Sequence, residues 1–133
     1  MTNIALWVAQ ILLAAVFLGS GLVKSIQPKD KLIATGQTGV APFPLPVIRL
    51  TAFAEMLAAV GIVLPWLTGI APVLTPAAAV GLVIVMIGAV ASHSALLRAD
   101  RTAGRGNREA RNVAANLILM ALCVFVVVGR LAY

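Results

Sequence analysis

The 133-residue chain is 62% hydrophobic and only 11% charged, with a formal charge of +6. A soluble domain of this length cannot hide so much apolar surface, so the expected solvent is a lipid bilayer. The positive charge does not point to nucleic acid, because it is confined almost entirely to two stretches between apolar segments.

Four stretches, 4–23, 47–67, 75–97 and 111–131, reach the roughly 20 apolar residues that a membrane-spanning helix needs. With their flanks they predict helices over 4–26, 46–67, 73–97 and 108–131. The fold class is therefore all-α: one four-transmembrane-helix bundle, with no length left for a separate soluble domain. The first stretch has no Lys or Arg before it and no clear A-x-A site after it. It is expected to remain as a helix rather than be removed as a secretory signal. Gln10, Phe17 and Lys24 recur every seven residues, with Leu13 and Ser20 between them, and share one helix face.

The segment "KSIQPKDKLIATGQTGVAPFPLP" is the longest loop. Pro28 opens a short helical turn, Gly36 and Gly39 break it, and Pro42, Pro44 and Pro46 make an extended lead-in to the second span. Leu32, Ile33, Val40 and Phe43 place this loop at the membrane interface, as a connector or as a lid. The second span, "RLTAFAEMLAAVGIVLPW", holds the carboxylate of Glu55. It ends near Pro65 and Trp66, with Trp66 and Trp7 expected at one membrane boundary. After the 68–74 turn, Thr75 is expected to cap the third span, with Pro76 at its first position. Small residues four apart, Ala77/Gly81, Gly88/Ser92 and Ala54/Ala58, predict close helix approach. "RADRTAGRGNREAR" reads as a basic solvated loop, and the fourth span begins near Asn107 with Glu109 in its first turn.

Of the ten basic residues, only Arg130 lies outside the two inter-span loops and their edges. Positive loops stay in the cytoplasm, so both termini are expected outside, in a multi-pass protein of the inner or plasma membrane. The basic loops would then meet anionic headgroups. The single cysteine, Cys123, allows no intrachain disulfide and reads as a small core residue. No His/Cys/Asp/Glu spacing suits a metal, and one histidine cannot supply two axial ligands to a haem.

The polar residues fall at one depth. Glu55 lies roughly 13 Å along its helix from Pro46, at about 1.5 Å per residue. Ser20 and Lys24 occupy the same inner third of the first span, Ser92 and His93 that of the third, and Asn112 and Asn116 that of the fourth. These side chains should face into the bundle, because lipid offers no hydrogen-bond partner. Glu55 is expected to pair with Lys24, with His93 and Arg49 as the next candidates. Two readings stay open: a structural ion pair that fixes packing, or a ligand or proton site.

"FLGSGLVK", "AEMLAAVGIVLP" and "MIGAVASH" occur in that order. They resemble the DoxX-like family of small four-helix membrane proteins in its F-x-x-x-G-x-x-K element, its Glu-bearing second span and the His that ends its third span. The resemblance implies a shared polar site at Lys24, Glu55 and His93, and assigns no catalytic residue. It also implies the roles relatives play. Some are membrane subunits in quinone-linked sulfur oxidation or in redox-stress complexes, and distant ones are chaperones or assembly factors.

The leading expectation is an auxiliary membrane subunit of a redox system, not catalytic alone, working with a soluble or membrane oxidoreductase. A quinone is the cofactor that its polar site would take. It needs an apolar slot for its tail and polar groups for its carbonyl oxygens. Lys24, His93 and Asn116 would donate to those oxygens, with Ser20 nearby, and Glu55 would relay a proton. The sequence carries no flavin, haem or iron–sulfur signature. The alternative is a structural or assembly protein, as a monomer or homo-oligomer. A third reading is a proton-coupled small-molecule exporter. It ranks lower because the membrane Glu of the small multidrug exporters lies in their first helix, where this chain has none.

Overall fold

A computed structural model describes residues 2–35 and 37–132. The helices are α1 (Thr2–Ile26), α2 (Lys29–Ala34), α3 (Leu45–Gly61), α4 (Leu64–Thr68), α5 (Leu74–Thr102) and α6 (Arg108–Ala132), with a 3-10 turn at Thr38–Val40. Thr2–Ile26, Leu45–Thr68, Leu74–Thr102 and Arg108–Ala132 are each long and apolar enough to cross a membrane. Large apolar side chains stand exposed on all four, Ile4, Leu50, Ile84 and Ile118 among them at 62–71%. In water such a surface would drive aggregation, whereas against acyl chains it carries no penalty.

α1 packs most extensively on α3, and α5 on α6; the two pairs meet through α1–α6 and α3–α5 contacts. The helices thus form a ring in the order α1, α3, α5, α6. Its core is Leu13 and Phe17 from α1, Ala59 and Ile62 at the end of α3, Leu82 and Met86 from α5, and Cys123 and Val126 from α6. Cys123 is fully buried there. The loop after α1 folds back over one end of the ring through a smaller cluster of Leu32, Val40 and Ile48.

Prolines and small residues shape the elements, with some departures from expectation. The extended lead-in ends at Pro44, and Pro46 sits inside the first turn of α3, where a missing N–H costs nothing. The break expected at Gly36 lies outside the described residues; α2 itself ends at Ala34. The second span is interrupted at Ile62 and Val63. Pro65 has no N–H for the Gly61 carbonyl four residues back. Thr75 Oγ1 donates to that carbonyl instead, at 3.3 Å. Thr75 therefore does not cap α5, which already begins at Leu74; its hydroxyl repairs the gap that Pro65 leaves.

Close helix approach also falls elsewhere than the four-residue spacing predicts. A Cβ built on Gly81 or Gly88 meets nothing within 4 Å, whereas one on Gly21 would come within 2.9 Å of the Ala52 carbonyl oxygen. α1 and α3 touch there through backbone. Gly21→Leu is accordingly expected to lower stability by about 1–3 kcal/mol. Gly19→Ala, two residues away with open space before it, should change the melting temperature little. Equal effects of the two would contradict this packing.

Candidate functional site

The sequence-predicted residues converge at the loop end of the ring. Lys24 stands in the last turn of α1 and Glu55 midway along α3, on the face that carries Ile48, Ala52 and Ala59 inward. Lys24 Nζ lies 3.0 Å from Glu55 Oε1 and 3.3 Å from Oε2. Glu55 is 1% exposed, so lysine is its route to charge neutrality. Arg49, the runner-up partner, instead donates from Nη1 to the Lys24 carbonyl oxygen. It thereby satisfies a backbone acceptor that the end of α1 would leave open.

His93 does not turn to Glu55 either. Its Nδ1 is 2.7 Å from Glu109 Oε2, on the first turn of α6. Asn112 Nδ2 donates to the same oxygen at 2.8 Å and lies 3.4 Å from Thr38 Oγ1. An ionised Glu109 can only accept, so it draws the Nδ1 proton and leaves Nε2 for other work. Nε2 faces Gly39, where a Cβ would come within 2.8 Å. Ser92 Oγ donates to the Gly39 carbonyl oxygen at 2.7 Å. Glycine at position 39 thus lets the loop backbone lie directly on the imidazole.

Between these two buried pairs lies a half-open cavity of about 430 Å³. Ser20, Lys24, Glu55, His93 and Asn116, the five ligand or proton-relay candidates, all line it, whereas Ser92 and Arg49 do not. Asn112, Thr51 and Gln37 add polar groups, and Val16, Phe17, Met86 and Leu119 supply apolar wall. Asn116 Nδ2 donates to the Asn112 carbonyl, which fixes its side chain along α6. Glu109 lies behind His93 and borders a second, open recess of about 690 Å³ with Thr35, Thr38 and Arg108. The His93–Glu109 pair therefore stands in the wall between the cavity and the loop surface.

The opposite end of the ring carries a second polar assembly that the sequence reading did not identify. Arg130 is 5% exposed. Its Nε donates to Gln10 Oε1 at 2.7 Å and its Nη1 to Asn3 Oδ1 at 2.8 Å. Its Cζ stands 4.4 Å from the Trp66 ring centroid and 5.4 Å from that of Trp7. Gln10 Nε2 in turn donates to the Ile62 carbonyl at the break in the second span, at 2.7 Å. The two tryptophans expected at one membrane boundary thus flank a buried cation.

The model of the DoxX-like family matches residues 8–126, nearly the whole chain, and the chain belongs to that family. It is a multi-pass membrane protein. Searches of curated proteins and of solved structures returned no match.

Proposed function

We propose that the chain is an auxiliary membrane subunit of a redox system that holds the head of a quinone in the cavity between the Lys24–Glu55 ion pair and the His93–Glu109 hydrogen bond. The cavity itself carries this reading. A polar cluster that served packing alone would be filled, whereas here about 430 Å³ stays open beside eight polar side chains. That volume lies within the range of small-molecule sites, roughly 300–1,000 Å³. A quinone supplies two-electron, two-proton redox chemistry, and the residues present fit its head. The Lys24 ammonium and Asn116 Nδ2 offer donors to carbonyl oxygens, His93 Nε2 accepts from the hydroxyl of the reduced form, and the apolar wall excludes water. The Lys24–Glu55 and His93–Glu109 pairs each hold a proton close to those oxygens. The electrons come from a partner oxidoreductase. Native mass spectrometry of protein extracted from its own membrane tests this. The expected result is a co-purifying polyprenyl quinone or an oxidoreductase subunit. Phospholipid as the sole companion would count against the reading.

The mutual satisfaction of Lys24 with Glu55 and of His93 with Glu109 supports the competing reading, a scaffold or assembly protein whose polar pairs fix helix packing. Open volume between the pairs is what sets the ligand reading ahead.

The orientation belongs to the same proposal. Nine of ten Lys and Arg sit toward the loop end, which supports a cavity mouth near the cytoplasmic leaflet of the plasma membrane with both termini outside. In a Cys123→Ser background, a membrane-impermeant thiol reagent is expected to label Thr2→Cys and spare Thr102→Cys in intact cells. The reverse pattern would invert the topology.

A further inference from the structure

We infer that the ligand of this cavity enters sideways from the bilayer, through a mouth between α1 and α6, and is an amphiphile that keeps its tail in the hydrocarbon; the inference rests on the cavity being a ligand site. The surrounding walls leave that side open. At the loop end the cavity is covered by the Gln37–Val40 segment, pinned by the Ser92–Gly39 and Asn112–Thr38 hydrogen bonds and by the buried side chain of Val40. At the other end α1 and α6 are tied together by Arg130 to Asn3 and Gln10, and Gly129 packs directly on Leu6. Between these closures the two helices line the cavity with matching stripes, Val16, Gly19 and Ser20 on α1 and Asn116 and Leu119 on α6. Val16 is 43% exposed, and a Cβ built on Gly19 meets nothing within 4 Å. The mouth is therefore open at Gly19 and faces the same hydrocarbon as the rest of α1.

The order of the lining states the chemistry of the occupant. Lys24 and His93 lie toward the loop end, and Val16 and Leu119 a turn or two toward the middle of the bundle. A molecule with a polar head at the interface and a tail pointing to the midplane enters this gradient without inverting, as a lipid of that leaflet already lies. The space of about 430 Å³ suits a head group and the first part of a chain, so a long tail has to leave through the mouth. A water-soluble substrate would have to pass the Gln37–Val40 segment that covers the loop end.

The test uses the full chain reconstituted in phosphatidylcholine nanodiscs, with two benzoquinone probes, one carrying a single isoprene unit and one a long polyprenyl tail. Gly19→Trp fills the mouth, and Val47→Trp fills a smaller recess of about 70 Å³ on the other side of Lys24, between α3 and the loop. Gly19→Trp is expected to weaken the long-tailed probe by about tenfold or more and the short one much less, and Val47→Trp should affect neither. Gly19→Leu, a smaller plug, should give the same direction if the tryptophan variant folds poorly. Unchanged long-tail binding in folded Gly19 variants, or loss caused by Val47→Trp instead, overturns the lateral mouth but leaves the cavity reading standing. Wild-type protein that binds neither probe removes the cavity reading and this inference together. A change of oligomeric state in Gly19→Trp would assign the α1–α6 seam to a second copy of the chain and also overturn it.

Discussion

Lys24→Met is expected to destabilise the protein by about 3–5 kcal/mol, because it leaves the Glu55 carboxylate buried without its cation. The carboxylate has few alternatives. Glu55 is 1% exposed, Arg49 is engaged with the Lys24 backbone, and His93 is held by Glu109. Adding Glu55→Gln to Lys24→Met removes the stranded charge and should restore most of the loss, since a neutral amide of equal size is far cheaper to bury. A thermal-shift cycle of the two single variants and the double one measures this. Additive effects would mean that the ammonium and carboxylate act independently despite their 3.0 Å separation.

The second large effect is expected at the opposite end. Arg130→Met should cost about 2–4 kcal/mol, because the buried Gln10 Oε1 loses a charged donor, and the exposed Asn3 Oδ1 loses one as well. The stacking of the guanidinium on Trp66 and Trp7 goes with it. The burial penalty of the cation keeps the net value well below the sum of these contacts. Arg98→Met, on the exposed end of α5, serves as the control and should stay within about 0.5 kcal/mol of the parent. Equal losses at 98 and 130 would contradict a specific role for the buried assembly.

Much of the bundle is legible from hydropathy, because lipid forces every spanning backbone into helix and every strongly polar side chain inward. That single constraint is why Ser20, Lys24, Glu55, His93 and Asn116, chosen by depth and face, border one space. Partner choice was less legible. His93 and Glu109 are 16 residues apart, across a loop whose geometry the sequence does not specify. Glu109 looked like an ordinary first-turn acid. Its spacing from Asn112 and Asn116, three and then four further residues on one face of α6, was the available signal. Arg130 stood out as the one cation away from the loops, and Asn3, Trp7 and Gln10 share a face of α1 at helical spacing. The link between them needed the α1–α6 pairing, which sequence alone does not give. Thr75 was misassigned because a Thr-Pro pair after a turn signals a helix start, whereas its hydroxyl answers the carbonyl that Pro65 frees fourteen residues earlier.

The space between the Lys24–Glu55 and His93–Glu109 pairs is proposed to bind a ligand head. The direct measurement is titration of a short-chain quinone analogue into purified wild-type protein, His93→Ala and Glu55→Gln, with melting curves recorded on each. The account predicts saturable binding to the wild type, weakened by about tenfold or more in both variants while their melting transitions stay cooperative. No binding to the wild type, or the same affinity in all three folded proteins, would contradict it.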